Sequence, residues 1–72
     1  MLTINVQLEE VTGRHAVTLT APGIPVPEVL ATYDHRLVAK ANLYAVSIFN
    51  LLQAGGAEVG LYLTAHGKGK AK

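Results

Sequence analysis

Hydrophobic and polar residues alternate in three separate stretches of the chain. Residues 2–9 place Leu, Ile, Val and Leu on one side and Thr, Asn, Gln and Glu on the other. The same two-residue period returns over residues 15–21 and residues 57–66. Because successive side chains of a strand point to opposite faces, this period predicts three half-buried β-strands. Gly13, in the short link between the first two, favours a hairpin turn.

The stretch between the second and third predicted strands has a helical period. Three closely spaced prolines exclude a central strand after residue 21, and the last of them, Pro27, suits the first turn of a helix. From there to residue 54, apolar side chains fill one arc of the helix about 160° wide. We therefore predict a helix over residues 27–54 that is closed by Gly55 and Gly56. A break at Asp34, which would cap a second helix, is the alternative. The arc comprises Leu30, Tyr33, Leu37, Val38, Ala41, Tyr44, Ala45, Ile48, Phe49, Leu51 and Leu52.

These elements follow the order β-β-α-β and predict an α+β fold. One long helix would pack on one face of a three-stranded, mainly antiparallel sheet. We expect the strand order 2-1-3, because pairing of the last strand with the second would require a parallel crossover connection. Residues 1–66 would form this single domain, and the low-complexity basic residues 67–72 would form a flexible tail.

The composition indicates a domain that needs a partner. Of 72 residues, 50% are hydrophobic and only 15% are charged, and none is cysteine. A domain this small is marginally stable alone and is usually supported by disulfides, a metal or another subunit. Disulfides are excluded, and His15, His35 and His66 lie too far apart in sequence to suggest a metal site. We therefore expect no metal, no cofactor, and association with another chain.

The side of the predicted helix that points away from the sheet carries few charges. Its middle contains Ala39, Leu43 and Val46, with Asn50 beside them. Scattered exposed apolar residues are one interpretation, since they are common on soluble proteins. A surface that binds a partner is the other. The second strand has neither lysine nor proline to protect its edge, so strand addition there is a further route to a partner.

Residue types that carry catalysis are scarce. Asp34 and His35 are the only adjacent carboxylate and histidine, and we expect neighbours at the start of a helix not to face each other. Ser47 is the only serine and has no nearby base. Phosphate-binding and nucleophile-elbow motifs are absent from the sequence. We therefore expect no catalytic residues, no small-molecule substrate and no enzymatic activity.

The location is expected to be cytoplasmic. The first residues lack the basic and apolar regions of a signal peptide. The most apolar stretch, residues 37–52, is interrupted by Lys40, Asn42, Ser47 and Asn50, whereas a membrane span needs about 20 predominantly apolar residues. We therefore expect no membrane contact.

Two functions remain. We predict a small non-enzymatic protein-binding module of the inhibitor or adaptor type, including one encoded by a mobile genetic element, that acts as a homodimer or as a subunit. The alternative is a nucleic-acid-associated protein that contacts phosphates through oligomerised basic tails. Lys68, Lys70 and Lys72 carry that alternative, because residues 1–66 have three basic and five acidic groups and lack a basic face.

Overall fold

A computed structural model describes residues 1–64 and shows an α+β fold with one α-helix and, in these residues, a four-stranded sheet. The strands are β1 (Leu2–Glu9), β2 (Arg14–Thr20), β3 (Glu28–Asp34) and β4 (Val59–Tyr62). A 3₁₀ turn, His35–Leu37, leads into the helix α1, Val38–Ala54. The sheet order is β3-β2-β1-β4, and α1 contacts all four strands. His66 and the predicted tail with Lys68, Lys70 and Lys72 lie outside the described residues.

The first two strands form the predicted hairpin. They pair antiparallel, from Thr3 opposite Thr20 to Glu9 opposite Arg14. Gly13 closes the turn with a φ of 72°, a left-handed conformation that side chains disfavour, and its N–H donates to the Glu9 carbonyl at 2.8 Å. The alternation predicted for β1 points Ile4 and Val6 into the core. The hairpin and the inward direction of Ile4 and Val6 are therefore confirmed, whereas Leu8, on the same predicted side, is 49% exposed.

Residues 28–34 form strand β3 and not the first turns of the helix, so that part of the prediction is wrong. β3 pairs antiparallel with β2, with a register shift at Val17 and Thr18. Leu30 and Tyr33, three residues apart, fit a helical arc, but both pack against the core from the strand as well. Pairing with β3 satisfies backbone N–H and C=O groups along β2, which a helix in this position would leave open.

The additional strand also sets the direction of the last strand. β4 lies beside β1, as predicted, but the two are parallel, with Leu2 opposite Val59 and Asn5 opposite Tyr62. β2 runs opposite to β1, and β3 runs opposite to β2, so β3 has the direction of β1. β4, which follows the helix after β3, runs parallel to β1 and therefore also to β3. Without β3, the same helical connection after β2 would make β4 antiparallel to β1. The predicted three-stranded, mainly antiparallel sheet is therefore wrong, whereas the α+β class with one long helix is correct.

Local signals define both ends of the helical segment. Asp34 Oδ1 accepts the backbone N–H of Arg36 at 3.0 Å and caps the 3₁₀ turn, which corresponds to the alternative break at this residue. At the other end Gly56 has a φ of 93°. The N–H groups of Gly56 and Ala57 donate back to carbonyls of the last helical turn at 3.0 Å each. This arrangement is the Schellman motif, so the predicted C-terminus of the helix is confirmed.

The core is small for the number of apolar residues in the chain. Within residues 1–64, six hydrophobic residues are buried, and three of them are alanines. Ala41 and Ala45 have no exposed surface and let α1 lie close to the sheet. Larger side chains pack around them but remain partly exposed, as a domain of this size requires. The buried residues are Ile4, Val6, Ala16, Val17, Ala41 and Ala45.

Candidate protein-interaction surface

The four residues predicted to contact a partner lie together on the helix side that points away from the sheet. Ala39, Leu43 and Asn50 are exposed, and Val46 is half-buried. Leu43 is the largest apolar group among them, with 66% of its surface exposed. Their spacing of three or four residues places them along one continuous stripe of α1.

Leu51 belongs to the exposed side of α1, although its position in the apolar arc predicts burial. It is 70% exposed, and Leu37 from the same arc is 38% exposed. The helix meets the sheet along a line through Ala41 and Ala45, and Leu51 lies about 100° around the helix from that line. The two alanines were the available signal, because small residues mark the closest approach of a helix to its neighbour.

Two contacts fix the rotation of α1 on the sheet. Tyr44 packs on Tyr33 of β3, with ring centroids 6.4 Å apart. Asn42 Nδ2 donates to the carbonyl of Thr64, just beyond β4, at 3.0 Å. One side of the helix therefore faces the β3 edge and the other faces the β4 edge. Leu51, two turns after Tyr44, lies on the β3 side.

Exposed large apolar side chains outnumber the buried hydrophobic residues in this part of the chain. Eleven are exposed in residues 1–64, against the six that are buried. Isolated exposed apolar residues are ordinary, but this excess in a protein with 15% charged residues is not. The eleven are Met1, Leu8, Val11, Ile24, Val26, Val29, Leu37, Leu43, Leu51, Tyr62 and Leu63.

The helical segment itself is unusually apolar. His35–Ala54, 20 residues, is long and apolar enough by length and composition to cross a membrane, which differs from the expectation that the chain contains no such segment. Only 11% of its most apolar window is buried. The fold nevertheless packs Ala41 and Ala45 fully against the sheet. We therefore describe α1 as a surface helix whose outer side lacks apolar cover.

The edge of β2 is not open to a partner, so that prediction is wrong. β3 covers it, and within residues 1–64 the sheet ends at β3 and β4. β3 contains neither lysine nor proline, but its acidic ends, Glu28 and Asp34, and its irregular pairing discourage strand addition. β4 has only four residues. The outer side of α1 is therefore the stronger candidate surface.

Asp34 and His35 approach each other, contrary to the expectation that they do not. His35 Nδ1 lies 3.3 Å from Asp34 Oδ1. The same oxygen accepts the backbone N–H of Arg36 at 3.0 Å and its Nε–H at 3.3 Å. These bonds, led by the backbone N–H, lower the pKa of Asp34 below its ordinary value of 3.8. The carboxylate is thus occupied as a helix cap at an exposed position.

His15 is the one buried polar residue among residues 1–64. It is 6% exposed, and no group in this range lies within hydrogen-bond distance of Nδ1. Leu8 and Tyr33 flank it on the neighbouring strands. His66 lies outside the described residues. No three His, Cys, Asp or Glu residues in the described part of the chain are placed to hold a metal ion.

Comparison with known protein families, curated proteins and solved structures gives no match for this chain.

Proposed function

We propose that this protein is a small non-enzymatic protein-binding module, of the inhibitor or adaptor type, that acts as a homodimer or as a subunit. The observation that supports this function is the uncovered apolar side of α1. Leu43 and Leu51 expose 66% and 70% of their surfaces there. Residues 41–57 contain no charged group that would favour solvation of this side.

The free energy available at this surface is large relative to the stability of the domain. Full burial of a leucine side chain contributes about 1.5–3 kcal/mol. Burial of the exposed two-thirds of Leu43 and Leu51 would therefore contribute about 1–2 kcal/mol each. A domain of this length has a total stability of roughly 4–11 kcal/mol. A partner that covers both side chains would thus change the stability substantially.

Photo-crosslinking tests this function directly. Leu43 is replaced by the photoreactive amino acid benzoylphenylalanine, and the protein is irradiated in the cells that produce it. The control carries the same group at Gln7, which is exposed on β1 away from the helix. We expect a protein adduct from position 43 and none from position 7. Adducts from neither position, or equally from both, would contradict the proposal.

The nucleic-acid alternative stays a prediction. It rests on Lys68, Lys70 and Lys72, outside the described residues. Binding of the full chain to nucleic acid that weakens steeply with salt concentration, and that is lost on deletion of residues 67–72, would support it.

A further inference from the structure

The exposed side of α1 has a symmetric spacing about Ser47. Leu43 and Lys40 lie four and seven positions before it, and Leu51 and Ala54 lie four and seven positions after it. All five residues are exposed. At 100° per residue they fall within a strip about 80° wide on the helix surface. We call these five residues the symmetric strip.

This spacing has the property that a two-fold interface requires. In such an interface, a residue i of one copy contacts a residue j of the other, and j contacts i in return. When two copies of α1 pack antiparallel with the two-fold axis at Ser47, Leu43 of each copy lies opposite Leu51 of the other. Lys40 of each copy then lies opposite Ala54 of the other, and the two large apolar contacts occur twice.

Ser47 is suited to the centre of this crossing. Its side chain is small, so two helices can approach to the usual 8–10 Å between axes. Its hydroxyl donates to the carbonyl of Leu43 in its own helix at 2.9 Å. The hydroxyl therefore stays hydrogen-bonded when a second chain displaces the surrounding water.

The charges favour the antiparallel direction. Arg36 is paired with Asp34 of its own chain, with Nε 3.3 Å from Oδ1. Lys40 is the one charged residue in residues 37–57, and it lies near the start of the helix. Antiparallel packing brings Lys40 towards the carbonyl end of the other helix, which carries partial negative charge. It also brings Lys40 towards Glu58, which follows that end by four residues. Parallel packing would bring the Lys40 side chains of both copies together.

We propose that a second copy of this chain docks antiparallel on the symmetric strip. The proposal rests on the proposed function, because it names the partner of the same surface. A 17-residue helix is about 26 Å long and about 10 Å wide. Its face therefore supplies about a third of the roughly 800 Å² that each partner contributes to a standard interface. We accordingly expect a weak dimer that forms at micromolar or higher concentration.

Single cysteines test the register, because the chain contains no cysteine of its own. Ser47→Cys should form a disulfide between copies, since position 47 meets itself at the two-fold axis. Lys40→Cys and Ala54→Cys should each link poorly alone, because identical positions lie about 21 Å apart. A disulfide needs Cα atoms roughly 4.4–6.8 Å apart. A mixture of the last two variants should link Lys40→Cys to Ala54→Cys.

Gln7→Cys is the control for linking by random collision, because Gln7 is exposed on β1. Circular dichroism checks that every variant is folded. The products are quantified by non-reducing electrophoresis and mass spectrometry in a glutathione redox buffer. Linking of Ser47→Cys and of the mixed pair, well above the Gln7→Cys background, is the result expected.

Three results would overturn the proposal. Efficient linking of Lys40→Cys or Ala54→Cys alone would show a different register. Background linking of Ser47→Cys would show no contact between copies at this strip. Retention of the chain on phosphatidylcholine vesicles, with Ser47→Cys unlinked, would assign the strip to a lipid surface.

The failure of the dimer and the failure of the proposed function can be distinguished. If the strip fails to link but the Leu43 photo-adduct contains a different protein, the proposed function stands without the dimer. If there is no photo-adduct either, both fail.

Discussion

Replacement of Leu51 by alanine should weaken association far more than folding. The Leu51 side chain is 70% exposed in the single chain, so folding buries less than a third of it. Full burial of leucine contributes about 1.5–3 kcal/mol, and Leu51→Ala should therefore lower the free energy of unfolding of the monomer by less than about 1 kcal/mol.

The same substitution acts twice in a two-fold dimer. Each copy would lose about 1–2 kcal/mol of apolar burial at the interface, or about 2–4 kcal/mol for the pair. Because 1.4 kcal/mol corresponds to a factor of ten, the dissociation constant should rise roughly 30- to 700-fold.

The neighbouring Leu52 provides the matched control. It packs against the core cluster, so Leu52→Ala should lower the free energy of unfolding by about 2 kcal/mol or more. It should leave the dissociation constant of the folded protein nearly unchanged. Sedimentation equilibrium gives the dissociation constant, and urea unfolding at a concentration where the chain is monomeric gives the stability. A stability loss for Leu51→Ala as large as for Leu52→Ala, with unchanged association, would show that Leu51 faces the sheet and would refute the reasoning.

Three further predictions concern packing, a buried ring nitrogen and a charge. Ala45→Leu adds volume at a position with no exposed surface and should cost about 1–3 kcal/mol in urea unfolding. Ala39→Leu on the exposed side should change stability by no more than about 0.5 kcal/mol, and equal effects would contradict the packing. His15→Leu removes a buried nitrogen that has no hydrogen-bond partner within residues 1–64, and it should raise the free energy of unfolding by about 1 kcal/mol. A fall of that size would mean that the imidazole is hydrogen-bonded. Asp34→Asn keeps the capping oxygen and removes its charge. Because Arg36 lowers the pKa of Asp34 in the folded chain, the charge stabilises the fold above the ordinary value of 3.8, and this contribution disappears as the pH falls through the lowered pKa. The stability gap between the wild type and Asp34→Asn should therefore be constant above about pH 5 and close in acid, and a gap independent of pH would exclude a role for the charge.

The sequence predicts those parts of the fold whose signals are local. The alternation of residues 2–9 indicates both the strand and the side that buries Ile4 and Val6. A shift of the strand register by one residue would turn these two side chains towards solvent. Gly13 and Gly56 mark a turn and a helix end through backbone conformations that few other residues adopt. These features needed no knowledge of the rest of the chain.

Strand β3 could not be predicted in this way, because it depends on β2, which precedes it by a proline-rich loop. Leu30 and Tyr33 fit a helix and a strand equally well, and the pairing decides between them. This one strand also accounts for the wrong direction assigned to β4 and for the wrong edge assigned to β2.

The candidate surface was predictable in part. Leu43 lies on the side of the predicted helix opposite the apolar arc, and the structure shows it exposed. Leu51 lies at one edge of the predicted apolar arc, which is about 160° wide. The helix contacts the sheet along a line through Ala41 and Ala45, about 100° around the helix from Leu51, so Leu51 is exposed.

The molar mass in solution tests the central claim, that a second copy covers the exposed side of α1. Light scattering after size exclusion should be measured from low micromolar to the highest soluble concentration. We expect the mass to rise from 7.6 kDa towards twice that value, and the mass of Leu51→Ala to stay near 7.6 kDa over the same range. A wild-type mass that remains at 7.6 kDa throughout, indistinguishable from the variant, would contradict the claim.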